Sequence, residues 1–574
     1  MKTKNLLLGL ALSTLTLQSC NVLDIDPTDT YSESTAYASI KNLDLYVKSF
    51  YNVFYSNADI NVGANLAMDD GVSDLIKYSW FNVAEGSVNK LFYYDNMMSP
   101  DANYRSNWDD MYEQIRRFNE YFYDVHSGFA DNLDSDQLAI RTAEVRFMRA
   151  FAYQELVLRH GGVILRINED RVDDHNQRAK ARSSEEDCWT FILDEYEKAA
   201  QILPEEWTGS EAGRLTKGAA YGMKARAALY AKRWQDAVNA ALEVEKLEKK
   251  GVYQLLSGTS KDSYMQIFNT VNNKELILPV YFQQKTKQHM FNHFFCPPYD
   301  TEKAGLQPGT LGAAATPTDE YASAFDIKVG KDWKSFDWTH LNEYSEGPWG
   351  NRDPRFYASI LYNGANWTGR QLELYVGGKD GYMDFSTSAS QDYVRTSTTG
   401  YIFRKFMDES DNINYVDIES TSYWIEMRYA EIVLILSEAY ARLDKFKEAY
   451  DYLNKIRTRV GLPILAQQST WDNYLEDLSK ERVCELGLEG HRWYDLVRWD
   501  IAQKVLNGQR LHGIKIEKTG SSFLYTRVEC DTQDRKFPKK YNIFPIPSSE
   551  LRNNIMCEQT PSLSLIHISE PTRP

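Results

Sequence analysis

Residues 481–499, ERVCELGLEGHRWYDLVRW, set four acids (Glu481, Glu485, Glu489, Asp495) among three arginines (Arg482, Arg492, Arg498). Paired carboxylates at such density are what glycoside hydrolysis requires, one serving as acid and the other as nucleophile or base. On a helix Glu481, Glu485 and Glu489 recur at every fourth residue and share a face. Arg482 stands three residues before Glu485 and Arg492 three after Glu489, within ion-pairing reach. Arginine neighbours lower a carboxylate's pKa, whereas a general acid needs it raised. The same stretch interleaves Leu486, Leu488, Trp493, Leu496 and Trp499, which favour a core over an open cleft. Gly490 breaks the periodicity and predicts a second short helix from Arg492 onward. The pattern therefore predicts a buried or half-buried ion network that does no chemistry. In NRDPRF (residues 351–356), Asp353 between Arg352 and Arg355, ahead of a proline, predicts a fixed structural turn.

Other chemistries find little support. The nine histidines show no H-E-x-x-H or comparable ligand spacing. Asp69 and Asp70 are adjacent, but no D-x-D-x-D-G loop accompanies them, so no metal or cofactor is called for. Cys188, Cys296, Cys484, Cys530 and Cys557 are scattered without a C-x-x-C pair, which predicts mostly buried free thiols. A net charge of -16 repels phosphate backbones and argues against nucleic-acid binding.

What the chain does have is rings: 38 tyrosines and 13 tryptophans in 574 residues. Sugars present C–H faces that stack on aromatic rings, and hydroxyls that take hydrogen bonds from short polar side chains. Two zones combine these features. In the first, Asp69 and Asp70 precede Lys77, Tyr78, Trp80, Phe81 and Asn82. Tyr78 and Trp80 alternate in KYSWFN, so an extended segment puts both on one side; an edge strand buried on the domain fits the same spacing. In the second zone, His293 and Tyr299 flank a proline pair, followed by Trp333, Trp338, Tyr344 and Trp349 in a region without helical pattern. The candidate ligand-binding residues are thus Trp80, Tyr78, Phe81, Asp69, Asp70, Asn82, Tyr299, Trp338 and Trp349. The acidic net charge disfavours polyanionic glycans unless a local basic patch compensates, and Lys285 with Lys287 is too small a cluster.

The elements that must position these residues are mostly helical. Residues 214–247 and 428–461 each read as a helix pair; with Trp234 placed on Phe446, Ala227 falls on Ala439 and Ala237 on Ala449. Small residues at a helix crossing and a ring at the turn are marks of tetratricopeptide pairs, and residues 108–123 and 138–160 are candidates for further helices. Such solenoids usually bind rather than catalyse. Between residues 251 and 422 Gly, Pro, Asn and aromatic residues rise and the helical period fades, with short strands expected in GRQLELYVGG and TGYIFRKF. A second loop-rich segment spans residues 57–107. At the N-terminus, Lys2 and Lys4 precede an apolar run ending in LQSC at Cys20, the plan of a secretory signal. The LQSC ending resembles a bacterial lipobox, with Gln18 larger than usual, and implies lipidation of Cys20; an ordinary cleaved secretory signal is the alternative. After Pro561 the text SLSLIHISEPTRP breaks with what precedes it and resembles a translated cloning scar.

Taken in order, several segments resemble the SusD/RagB family of glycan-binding outer-membrane lipoproteins from Bacteroidetes. They are LDIDPTDTYSESTAY, AEVRFMRAFAYQELVLRHGGVIL, GRLTKGAAYGMKARAALY, NRDPRFYASI, TGYIFRKF, RYAEIVLILSEAY, ERVCELGLEGHRWYDLVRW and FPKKYNIFPIP. The family's asparagine-rich ending on N-P-G is lost after NNIMCEQTPSL. The resemblance implies a mostly α-helical, non-catalytic protein whose tetratricopeptide-like pairs support a loop-rich, partly β glycan-binding face. It also implies a lid over a SusC-like TonB-dependent transporter, held to the outer membrane by a lipid and exposed at the cell surface. The expected division is a signal peptide at 1–19, an N-terminal region at 20–250, an irregular insertion at 251–422, a C-terminal helical region at 423–561, and a non-native tail at 562–574. Two other classes compete: a glycoside hydrolase with paired carboxylates, and an assembly solenoid whose rings are only core.

Overall fold

Successive helices packed on one another build the scaffold of the molecule. The computed structural model describes residues 33–62, 68–79, 100, 105–167, 179–303, 305–306, 311–381, 396–409, 420–531, 534–561 and 563. Helices α1 (Trp108–His126), α2 (Ser135–His160), α3 (Glu185–Ile202), α4 (Lys217–Tyr230) and α5 (Trp234–Lys249) follow one another, each packing on the next. Asp134, Ser184 and Thr216 cap α2, α3 and α4 by accepting backbone N–H groups of the first turn. The stack then continues with α6 (Tyr429–Arg442), which packs on α5 although nearly two hundred residues separate them in sequence. Helices α7 (Phe446–Arg459) and α8 (Trp471–Leu486) complete it.

Strands Leu276–Val280 and Trp424–Arg428 pair antiparallel, with Arg428 opposite Leu276, and so bring the two ends of the intervening segment together at the stack. That segment is irregular. Its strands are short, such as Ala315–Pro317 paired with Ile76–Tyr78, and Ile360–Leu361 paired with Ile402–Phe403. One long hairpin, His512–Thr519 with Ser522–Glu529, lies against the segment from the C-terminal side.

The two helix pairs aligned in the sequence share their geometry. Ala227, Ala237, Ala439 and Ala449 are fully buried where the helices cross. Both turns carry a left-handed residue two positions before the ring, Lys232 at φ 59° and Asp444 at φ 58°. Gly218 faces the Tyr253 ring so closely that a Cβ there would lie 2.2 Å from its hydroxyl. The five cysteines from Cys188 to Cys557 are buried. No helix among the described residues is long and apolar enough to cross a membrane. Cys20 and residues 564–574 lie outside the described residues.

Candidate functional site

The charged stretch is the keystone of the fold. Helix α8 ends at Leu486, before the expected break at Gly490, so Glu481 and Glu485 project from the helix and Glu489 from the turn after it, where Leu488 (φ 68°) and Gly490 (φ 78°) are left-handed; the short helix Arg492–Arg498 follows. Glu481 pairs with Arg355 at 2.6 Å and Arg457 at 2.9 Å. Glu485 contacts Arg355, Arg428 and Arg459, and Glu489 takes Arg428 at 2.7 Å and Lys405 at 2.6 Å. These five partners come from four segments: NRDPRF, TGYIFRKF, RYAEI and the end of α7, which supplies both Arg457 and Arg459. Burial alone would raise the Glu485 carboxyl, yet the guanidiniums of Arg459, Arg428 and Arg355 hold it well below the usual carboxylate range. The ion network expected from the sequence is present, but its pairing differs. Arg482 pairs with Asp495 at 2.6 Å, and Arg492 with Asp74 at 2.8 Å, instead of their helical neighbours Glu485 and Glu489. The helix ends between them, so the i, i+3 geometry is not available to Arg492.

This frame positions a cleft. Asp353 caps the helix Pro354–Ser359 and pairs with Arg355 at 2.7 Å. Arg352 turns the other way. Its guanidinium donates to the carbonyls of Pro348 and Phe325, at 3.0 Å each, and to that of Ala322 at 2.5 Å. It lies between the Phe336 and Phe356 rings, 3.9 and 4.5 Å from their centroids. The Tyr357 hydroxyl accepts from the Arg352 backbone N–H and donates to the Trp349 carbonyl at 2.6 Å. The loop bearing Trp349 is thereby fixed. Trp349 stacks at 8° on Phe356 and lies 5.3 Å from Tyr362, whose hydroxyl burial pushes up to about 12. Trp333, Trp349, Tyr357 and Tyr362, all half-buried, line a cleft of about 720 Å³ together with exposed Glu346 and Asn351. Its chemistry is that of a saccharide site: ring faces for C–H stacking beside short hydrogen-bonding groups.

Trp338 extends the aromatic surface. Its ring meets Trp349 at 5.8 Å and Tyr525 at 6.1 Å, while its indole N–H donates to Asp319 at 3.0 Å. Arg527 and Tyr401 also donate to Asp319, at 2.7 and 2.9 Å, which locks the hairpin to the same carboxylate. The expected pair Trp338 and Trp349 is thus brought together. Tyr299 sits in a different setting, with the Arg370 and Lys379 cations 5.1 and 5.2 Å from its ring centroid.

The first zone is placed otherwise. Tyr78 is 2% exposed, on the strand Ile76–Tyr78, and its hydroxyl accepts the Met68 backbone N–H, so of the two arrangements that KYSWFN allows it takes the buried strand. Asp70 is buried and accepts the backbone N–H groups of Gly490 and Arg492. Burial pushes its carboxyl up to about 7, against those two bonds. Asp69 accepts from Arg105, Arg159 and Tyr494. Asp69 and Asp70 thus hold the N-terminal loop to the keystone; Tyr78 and Asp70 are buried, and half-buried Asp69 borders only a small cavity of about 40 Å³. Trp80, Phe81 and Asn82 lie outside the described residues. Sequence reasoning missed Tyr357, Tyr362 and Tyr525. NRDPRF was read as a turn alone, although Asn351, Arg352, Pro354 and the adjacent Tyr357 also line the cleft.

Two family models match the chain in succession. Residues 28–229 match one described as "Starch-binding associating with outer membrane", and residues 274–562 match the SusD family model. The chain belongs to the SusD family. A SusD-like protein of Formosa agariphila is 23% identical over 495 residues, covering 82% of each chain. Among solved structures, a SusD-like protein of Bacteroides fragilis superposes with a TM-score of 0.75 at 27% identity, covering 92% of this chain and 98% of that one. A second B. fragilis structure, of a SusD-like carbohydrate binding protein, gives a TM-score of 0.72 at 22% identity, covering 91% and 99%. SusD-family proteins are carbohydrate-binding and not catalytic, in keeping with a carboxylate keystone that is paired and closed to solvent. The SusD model's span contains that keystone and the four rings of the cleft, while Thr259, Ser260 and Lys261 of its lining precede the span.

Proposed function

We propose that this protein captures an oligo- or polysaccharide in the cleft walled by Trp333, Trp349, Tyr357 and Tyr362, and delivers it to a SusC-like TonB-dependent transporter. In this reading Cys20 carries the lipid that holds the chain to the outer membrane, at the cell surface. Residues 251–422 form the insertion bearing most of the ligand face, between an N-terminal region and a C-terminal helical region. Trp338 borders the cleft, and Trp80, Phe81, Asn82 and Tyr299 remain candidates for further contacts.

The observation that carries the proposal is the fixed Trp349 loop: half-buried rings, held by a buried arginine and a capped helix, stand beside exposed polar groups. Rigid aromatic faces lose little entropy on binding, which suits capture of flexible chains. Family membership supports the glycan and the transporter, and the LQSC sequence supports the lipid.

The test is native affinity electrophoresis of residues 21–561 through gels containing plant and host polysaccharides, with a reducing-sugar assay on the same samples. Retardation in a polysaccharide gel without release of reducing ends is expected. Release that disappears in a single Glu or Asp variant would establish a hydrolase instead.

A further inference from the structure

The cleft that lies under the proposed function carries an unbalanced charge. Its lining includes Lys261, Lys328 and Arg352 and one carboxylate, Glu346. Arg352 is 3% exposed, and among the described residues no carboxylate lies within ion-pairing distance of it. Its partners are backbone carbonyls and two ring faces, and its Nε has no hydrogen-bond partner. Elsewhere in this protein buried arginines are matched with acids, as Arg355, Arg428 and Arg498 are. A buried guanidinium without an acid is costly, and carbonyl dipoles offset only part of that cost. Lys328 is exposed beside it. Its backbone N–H donates to the Asn351 carbonyl, and its ammonium has no ion pair among the described residues. Lys261 opens the helix Lys261–Asn269 across the cleft and, among the described residues, has its one ion pair with its exposed neighbour Asp262, at 3.0 Å. On a chain of net charge -16, three cations against one carboxylate in the lining make this ring-lined cleft locally cationic.

We propose that the cleft takes an anionic saccharide, a sugar bearing a carboxylate or sulfate group that meets Lys328 and the Arg352 charge while its ring stacks on Trp349. This rests on the glycan reading of the cleft and names the substrate class for it. The cations supply selection, because a neutral sugar leaves Arg352 and Lys328 without an ion-pair partner whereas an acidic one brings a charge beside them. Stacking supplies the contact common to both kinds of sugar.

The test uses residues 21–561 in affinity gels and titration calorimetry, with matched pairs: polygalacturonate against its methyl ester, and carrageenan against its desulfated form. Laminarin, xylan and starch serve as neutral references. Binding of one charged member, at least tenfold tighter than its neutralised counterpart and weakened by raising sodium chloride, is expected; the pair that responds tells carboxylate from sulfate. The variant Lys261→Glu/Lys328→Glu is expected to lose at least tenfold in affinity, and Lys328→Arg to keep it. Tight binding of a neutral glycan that the double variant leaves unchanged, but Trp349→Ala abolishes, would overturn the anionic class and leave the cleft as the glycan site. Binding of an acidic glycan indifferent to all these variants would place the site elsewhere and overturn the proposal. Retention by no polysaccharide would count against both readings.

Discussion

Lys405 and Glu489 form an ion pair at 2.6 Å with neither side chain open to solvent. The ammonium also donates to the carbonyls of Gly487 and Glu485, at 2.9 and 3.3 Å, so all three of its protons are used. Burial pulls its pKa below the ordinary lysine value, with Glu489 opposing. TGYIFRKF is thereby tied to the end of the ERVCELGLEG run. Lys405→Met leaves Glu489 to Arg428 alone and takes one donor from each of two carbonyls, of which that of Glu485 keeps Tyr264 and Arg428, and is expected to cost about 3–5 kcal/mol in urea denaturation. Lys447→Met, which breaks an exposed pair with Asp451, should leave the transition where it is.

Asp70 couples stability to pH in the opposite sense to most carboxylates. Its folded pKa, about 7, lies above the ordinary 3.8 because burial disfavours the charge, with Asp69 and Asp495 adding repulsion. Between these values the unfolded chain ionises while the folded one retains the proton, so the folded state binds more protons and loses stability as pH rises. Below about pH 4 both states are protonated and no cost is present. Asp70→Asn removes this titration. The stability of the natural chain relative to the variant should therefore fall by up to about 1.4 kcal/mol per pH unit from pH 4 toward pH 7, then level off. Urea transitions of both proteins at half-unit pH steps would check it. A difference that grows upward with pH would show that the carboxylate is ionised throughout.

The scaffold was legible because its signals are local. Periodic alanines and a ring at the turn mark the helix pairs, and Lys232 and Asp444 take the same left-handed conformation at matching positions. That the charged run is structural was also legible, since arginine neighbours and interleaved leucines argue against catalysis. Its wiring was not. Arg482 and Arg492 find Asp495 and Asp74 through tertiary packing, which a spacing rule along one helix cannot encode. The ligand face was half legible. Trp338 and Trp349 lie close in sequence, whereas Tyr525 reaches them from a hairpin almost two hundred residues away. Tyr78 misled because alternation of rings describes a buried strand as well as an exposed one.

Gly400 decides how that hairpin docks. Its φ is 76°, and a Cβ there would lie 2.2 Å from the Ile514 carbonyl oxygen, a backbone atom that cannot swing away. The Ile514 N–H meanwhile donates to Thr399 at 2.8 Å. Gly400→Ala combines left-handed strain with a backbone clash and is expected to cost about 2–5 kcal/mol. Because Tyr525 rides on the hairpin, tryptophan fluorescence from the cleft should change along with the melting temperature. A variant that melts as the natural chain does, with an unchanged spectrum, would refute this docking.

The lipid anchor proposed at Cys20 is open to a direct check. Cys20→Ser removes the proposed acylation site while the apolar run before it remains. Expressed in a Bacteroidetes host, the natural chain should partition with outer membranes and label with radioactive palmitate. The variant should lose the label and shift to the soluble fraction, since stable attachment needs more than one acyl chain. Membrane retention without label would point to attachment through a partner protein.

Trp349 and Trp338 separate contact from positioning. Trp349 lines the cleft and stacks on Phe356, whereas Trp338 is spent on Asp319, which Tyr401 and Arg527 also hold. Trp349→Ala removes a ring face from the cleft and should weaken saccharide binding about tenfold or more, which corresponds to about 1.4 kcal/mol or more. Trp338→Phe keeps a ring against Trp349 and Tyr525 but loses the bond to Asp319. Since Asp319 retains two donors, affinity should fall only about two- to threefold, with little loss of stability. Calorimetric titration of both variants against whichever polysaccharide retards the natural chain would decide. Equal losses from the two would make the Trp338–Asp319 bond part of the binding surface itself, and no loss from Trp349→Ala would move the site off this cleft.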